Sequence, residues 1–257
     1  QIFHFLIIWV KQHLFSKRVN KDLTFIVPAA GKSSRFKNKK SKIFYTYKKK
    51  LILEHIIDKC LVFSKNIIII SNRKNLKKIK SIVKKKYKKF NIKILIQEKP
   101  LGMGDAVYIG LQKVITRLSA TIWADQIYIE NETIKKTIDY FKKSKSLFTF
   151  PVFFKKNPYT KIIKNRSKKF VDIIQSKEID YDLKSGEADC GFFIFKTSKI
   201  RKILKYLIDK KMILSKKSNE VEFLSAFKYI KKLGKITTIK ANSEKDTIGI
   251  NFKKDLI

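Results

Sequence analysis

The residues best suited to chemistry gather behind one apolar run. Residues 23–29 read Leu-Thr-Phe-Ile-Val-Pro-Ala, and Ala30-Gly31-Lys32-Ser33-Ser34-Arg35-Phe36 and then Lys42 follow. Small side chains at 29–34 let a backbone approach an anion, and successive amides there can donate to phosphate oxygens. Lys32, Arg35 and Lys42 add positive charge beside that loop. The loop is not a P-loop, which requires Gly at position 26, where this chain has Ile. It is not the dinucleotide fingerprint either, because Ser33 and Phe36 stand at the later Gly positions. The same composition also suits an ordinary strand-to-loop connection. No Ser-His or Cys-His pair is visible, and His4, His13 and His55 have no metal-ligand spacing, which argues against zinc.

The elements that must hold this loop follow from apolar periodicity. Residues 23–29, 66–71, 92–97 and 120–124 read as short strands, the second a continuous apolar run of the kind buried in a parallel sheet. Residues 51–63, 74–90 and 104–118 read as helices between them. Asn131 is expected to cap a helix with Ile134, Ile138 and Phe141 on its apolar face. Beyond it, 147–154, 161–164, 170–174 and 190–195 look like strands separated by polar turns. Ser198 is expected to cap the next helix, and Asn219 with Glu222 resembles a capping box opening another. A last strand covers 236–241. The reading is one α/β domain over 23–257, a doubly wound, mostly parallel Rossmann-like sheet with a β-rich insertion in its second half. Residues 1–22 form an N-terminal extension.

Composition narrows the function. The 257-residue chain has 60 Lys+Arg against 21 Asp+Glu, a formal charge of +39, and only six of the basic residues are Arg. With 20 Phe and 10 Tyr it is too aromatic for a disordered basic tail. Two cysteines cannot staple a secreted scaffold. The charge invites a nucleic-acid partner, but base-edge contacts favour the bidentate Arg fork, and Lys is spread along the chain rather than clustered. No specific nucleic-acid partner is expected. The basic helix at 74–90 could lie on a membrane surface, but in so Lys-rich a chain a solvated Lys face on a soluble helix is the favoured reading. Residues 2–10 are apolar except His4, yet nine residues cannot span a bilayer, and the flanks of a signal peptide are not visible. The expectation is a cytoplasmic protein without a membrane span.

Taken in order, several motifs resemble the sugar-1-phosphate nucleotidyltransferase family. Residues 28–36 with Lys42 are similar to its signature loop, in which two small residues precede a Gly-rich turn and an Arg, with Pro-Lys further on. Arg35 and Lys42 match; Ser33 replaces the second Gly, Phe36 a Met or Leu, and Ser41 the Pro. Residues 97–106, starting Gln-Glu-Lys-Pro-Leu-Gly-Met-Gly, resemble the segment that contacts the base. Trp123-Ala124-Asp125 resembles the strand-end Gly-Asp, with Ala for Gly. Residues 187–191 resemble the sugar-binding segment, and Gly249-Ile250-Asn251 with Asp255-Leu256 resembles the close of the domain. Within the family the likeness is to the uridylyltransferase branch.

The resemblance implies a reaction in which a sugar phosphate attacks the α-phosphorus of a nucleoside triphosphate and pyrophosphate leaves. Such transfer demands positioning and charge neutralisation rather than a protein nucleophile. It implies Arg35 on the triphosphate and leaving group, and Lys42 neutralising and aligning the phosphates. Ala29, Ala30, Gly31, Lys32, Ser33 and Ser34 lie beside the nucleotide, with Gln97, Gly102 and Met103 at the base, where a Gln amide suits UTP or CTP. Asp125 and Asn251 would hold Mg²⁺, which takes few carboxylates and keeps waters. Thr160, Gln175 and Asp189 fall where the family has sugar-contacting Gly, Glu and Asn. Those three departures leave the acceptor open: a sugar 1-phosphate, or a non-sugar phosphate such as phosphocholine. Loss of Gly at 33 and 124 also raises a catalytically silent nucleotide-binding domain, against which Arg35, Lys42, Asp125 and Asn251 weigh.

Overall fold

A computed structural model of the chain describes residues 20–31, 36 and 40–256. The apolar run Leu23–Pro28 is β1; past a small hairpin, β2 (Thr46–Tyr47) and β3 (Lys50–Leu51), the chain enters α1 (Ile52–Phe63). β4 (Asn66–Ser71), α2 (Arg73–Lys86), β5 (Asn91–Ile96), α3 (Met103–Lys113), β6 (Leu118–Ile122) and α4 (Asn131–Lys143) continue the alternation. The second half carries β7 (Phe148–Lys156), β8 (Thr160–Lys164), β9 (Phe170–Gln175), β10 (Ser185–Asp189) and β11 (Phe192–Lys196). It ends with α5 (Thr197–Asp209), α6 (Phe227–Leu233) and β12 (Ile236–Lys240).

The strands form one sheet in the order β10-β7-β11-β6-β1-β4-β5, with β12 beside β7. β1 lies parallel to β4 and β6, and β4 to β5. β11 runs antiparallel to β6 and β7, and β10 to β7, while β12 is parallel to β7. β8 and β9 pair apart from the main sheet and supply the β-rich insertion. Helices cover both faces, which is why β1 and β4 are apolar throughout rather than alternating. Leu23, Phe25 and Val27 pack with α1 and α4 on one face; Ile26 packs with α3, α5 and α6 on the other. Burying each such side chain contributes roughly 1.5–3 kcal/mol. The second face is dominated by phenylalanines, with Phe148 4.6 Å from Phe227 and 5.3 Å from Phe195 between ring centroids. In sheets of this kind the crevice for a ligand lies outside the carboxyl ends of the strands.

Several local expectations are corrected. The helix expected to reach residue 118 stops at Lys113, because Leu118 already pairs with Leu23 in the sheet; β6 accordingly starts earlier than residue 120. Asn131 is the first residue of α4 rather than its cap. The cap comes from elsewhere: buried Asp246 accepts from the Glu130 N–H at 2.8 Å and the Thr133 hydroxyl at 2.5 Å. Ser198 lies inside α5, and Lys196 holds the cap position with no side-chain bond. Residues 187–189 belong to β10 instead of merely preceding a strand, and β11 starts at Phe192. Asn219 and Glu222 do not form a capping box. Asn219 is left-handed (φ +57°) and Glu222 spends its carboxylate on distant partners described below. Among the described residues no helix is long and apolar enough to cross a membrane. The extension at 1–22 and its apolar run fall almost entirely outside the described residues.

Candidate active site

A cavity of about 480 Å³ opens at the carboxyl ends of β1 and β6. Ala29, Ala30, Gly31, Lys42, Gln97, Gly102, Met103, Asp125, Thr160, Gln175, Asp189 and Asn251 all line it. Lys32, Ser33, Ser34 and Arg35 lie outside the described residues. The start of the anion loop is fixed by its neighbour strand: the Ala29 N–H donates to Ile70 O at 2.8 Å, and the Asn72 amide donates to Ala30 O at 2.8 Å.

At one end, Gln97 is buried and its backbone N–H donates to Ser71 O at 2.8 Å. Its side-chain NH₂ donates to Gly102 O at 3.0 Å and Asp105 Oδ2 at 2.7 Å. With the donors so placed, its amide oxygen is the group left for a ligand's N–H. Gly102 adopts φ +98°, and a Cβ there would lie 2.7 Å from Glu220 Cβ and 2.8 Å from Val221 O. Val221 is bonded on both sides of that glycine, its N–H donating to Leu101 O (2.6 Å) and its carbonyl accepting from Gly104 N–H (2.8 Å). The glycine is therefore required both by its dihedral and by this close approach.

At the centre, Lys42 Nζ lies 2.5 Å from Asp125 Oδ2 and donates to Ile250 O at 3.0 Å. The Ile250 N–H donates in turn to Asp125 O at 3.0 Å, which ties the 249–251 segment to the end of β6. Asn251 donates its side-chain amide to Gly249 O at 3.2 Å, and its N–H to Asp255 Oδ2 at 2.8 Å. No cluster of three acidic, His or Cys side chains occurs among the described residues. One carboxylate that already attracts a cation, with an amide beside it, fits Mg²⁺, which keeps several waters and shares its shell with substrate phosphates. It would not fit zinc or calcium, which need fuller protein shells.

At the other end the wall is a network of side chains. The Thr160 hydroxyl donates to Asp189 Oδ2 at 2.6 Å and the Gly191 N–H to Oδ1 at 2.7 Å. Burial pushes the Asp189 carboxyl above its usual range despite these two bonds, and nearby Asp125 adds to the rise. Gln175 donates to Glu222 Oε2 at 2.5 Å, and Lys177 is ion-paired to the other oxygen. Burial, the largest single influence, opposes the Lys177 charge, but the bond and charge of Glu222 together with Tyr159 and Glu178 outweigh it and its pKa is raised. Trp123 leans on Phe193 and Phe223 and presents an aromatic wall. Gly191 (φ +64°) makes room for Gln126, whose Cγ would lie 2.5 Å from a Cβ at that position.

Sequence reasoning missed Trp123, Gln126, Lys155, Lys177 and Glu222 as lining residues. Trp123 adjoined a motif already singled out and was within reach. Glu222 was hidden by its local fit to a helix cap, and Lys155 and Lys177 carried no signal in so lysine-rich a chain.

Fold and site together define a class: a doubly wound domain whose strand-end cavity joins the small residues after β1, a carboxylate–lysine centre and a polar wall. The model of the MobA-like NTP transferase domain matches residues 25–185. The chain belongs to that family. It is 30% identical over 200 residues to the bifunctional protein GlmU of Buchnera aphidicola subsp. Acyrthosiphon pisum (strain Tuc7), covering 75% of this chain and 41% of that one. It is 29% identical over 244 residues to GlmU of Buchnera aphidicola subsp. Schizaphis graminum, covering 93% and 50%. The chain thus spans half or less of these relatives. The inositol-1-phosphate CTP transferase of T. maritima shares the fold with a TM-score of 0.69 at 12% identity, covering 91% of each chain.

Proposed function

We propose that residues 23–257 are a Mg²⁺-dependent nucleotidyltransferase domain, with 1–22 an extension, acting in the cytoplasm. It joins the nucleoside monophosphate of UTP or CTP to a sugar 1-phosphate. An oxygen of the acceptor phosphate attacks the α-phosphorus, the bond to the β-phosphate oxygen breaks, and pyrophosphate leaves. The observation that carries this reading is the Lys42–Asp125 pair, set in one cavity with the anion loop and Gln97 on one side and the Thr160–Asp189 and Gln175–Glu222 pairs on the other.

The chain's own residues supply position and charge. Amides of the loop after β1 meet the phosphates, and Arg35 and Lys42 neutralise them as the two anions converge. Lys42, held by Asp125 at 2.5 Å, would be freed for phosphate if that carboxylate held a metal ion. Asp125 and Asn251 would hold Mg²⁺, which supplies charge neutralisation across the triphosphate. Gln97 offers its carbonyl to a pyrimidine N–H, either N3–H of uracil or the 4-amino group of cytosine.

The far wall mixes hydrogen-bond donors and acceptors, from Thr160, Asp189, Gln175, Lys177 and Glu222, which suits sugar hydroxyls that both donate and accept. Choline's trimethylammonium can do neither, which favours a sugar over phosphocholine. The joint presence of Lys42, Asp125 and Asn251 in the cavity speaks against a silent domain. The test is pyrophosphate release with Mg²⁺, each of the four NTPs, and a panel of sugar phosphates and phosphocholine. Turnover is expected with a pyrimidine triphosphate and a sugar 1-phosphate. Absence of turnover with every pair by folded protein would sink the reading.

A further inference from the structure

Three described lysines line the cavity, and their partners differ. Lys42 sits on Asp125 at 2.5 Å, and Lys177 is locked to Glu222. Lys155, near the end of β7, has no carboxylate within hydrogen-bond distance. Its Nζ is 3.8 Å from Glu244, a carboxylate more than half exposed, and donates a long 3.3 Å bond to the Thr247 hydroxyl. That hydroxyl already donates to Glu244 O at 2.7 Å. Lys155 is itself only 21% exposed. A partly buried ammonium with so loose a set of partners keeps donors free for a stronger counter-charge.

Its location indicates which charge that is. The partner Thr247 belongs to the 244–251 segment, which also carries Asn251 and is bonded to Asp125 through Ile250. Lys155 pairs with Gly186 of β10, the strand that ends at Asp189, and lines the cavity together with Asp189. Tied to the 244–251 segment through Thr247 and to the acceptor wall through β10, it joins the centre to the acceptor end. Bringing a phosphate nucleophile to a triphosphate sets anion against anion, and a cation at that junction lowers the repulsion.

We propose that Lys155 is a further substrate-binding residue, whose ammonium receives the acceptor's phosphate and leaves its weak tie to Thr247 and Glu244 to do so. The assignment to the acceptor rests on the transferase reading above. The anion site itself can be tested without it. The protein is saturated with Mg²⁺ and the α,β-methylene analogue of UTP or of CTP, and inorganic phosphate or glucose 1-phosphate is titrated by calorimetry. Lys155→Met should weaken binding of the added anion about 10- to 100-fold, the range of a lost charge-assisted hydrogen bond, with analogue affinity unchanged. Lys155→Arg should recover most of it. In turnover, Lys155→Met should raise the acceptor KM and leave the NTP KM as it was.

The proposal would be overturned by no anion binding by the wild-type protein, by equal binding by Lys155→Met, or by a parallel loss of analogue affinity. Thr247→Val separates binding from support. If it weakens the anion as much as Lys155→Met does, Lys155 merely braces the 244–247 turn and the proposal fails. Absence of turnover with every NTP and acceptor, alongside a Lys155-dependent anion site, would leave the binding residue standing and remove the transferase reading.

Discussion

The two ends of the cavity are built by different means. The end proposed for the nucleotide is mostly backbone: two alanines, Gly31, the left-handed Gly102, and a glutamine whose donors are spent on holding its own loop. The end proposed for the acceptor is mostly side chains, with Thr160 against Asp189 and Glu222 holding both Gln175 and Lys177. A backbone-built surface reads what all nucleotides share, phosphates and a flat base. A side-chain wall can be rewritten one residue at a time. The contrast suggests that reaction type resides in the first and acceptor choice in the second.

The comparison breaks first at its midpoint. Asp125→Ala should lower kcat by about 10²- to 10³-fold in a Mg²⁺-supported pyrophosphate-release assay, while the thermal transition stays cooperative. Unchanged turnover would remove Asp125 from the metal role. Next, Gly102→Ala should damage one end only. Its φ of +98° and its contact with Glu220 and Val221 predict a loss of about 1–3 kcal/mol in chemical denaturation, from backbone strain alone. Nucleotide affinity by calorimetry should fall with it, and the acceptor KM should not rise separately. Equal damage to both ends would mean that the ends are not independent.

The smallest effect sharpens the acceptor side. Burial holds the Asp189 carboxyl above its ordinary value, so the folded state keeps a proton that the unfolded chain has already released. Stability must fall as pH rises through that window, and the loss persists above it. Asp189→Asn removes the buried charge. It should raise the melting temperature at pH 7 by about 2–4 °C, with little gain near pH 4, while weakening acceptor use. A variant no more stable at pH 7 than at pH 4, relative to wild type, would contradict the cause given for the shift.

The legibility of the sequence followed the same division. β4 was readable to the residue because Ile67–Ile70 is an unbroken apolar run bounded by Asn66 and Ser71. The cavity's nucleotide side was readable because its residues adjoin strand ends in the chain. The acceptor wall was only half legible. Thr160, Gln175 and Asp189 could be proposed by resemblance, but Glu222 fitted a local capping pattern so well that its distant role was obscured. Asp246 was missed as the cap of α4 for the same reason: it acts far from its place in the chain.

By itself, then, the sequence determined the order of strands and helices, the small-residue loop after β1 and the family resemblance. Each rests on periodicity or on residues adjacent in the chain. Only the tertiary structure decided which charges pair. In a chain of +39, composition cannot distinguish Lys42 on Asp125 and Lys177 on Glu222 from Lys155, which has only a loose 3.8 Å contact with the exposed Glu244. The physical reason is range. Helix and strand formation answer to neighbours a few residues away, whereas an ion pair forms wherever the fold brings opposite charges within about 4 Å.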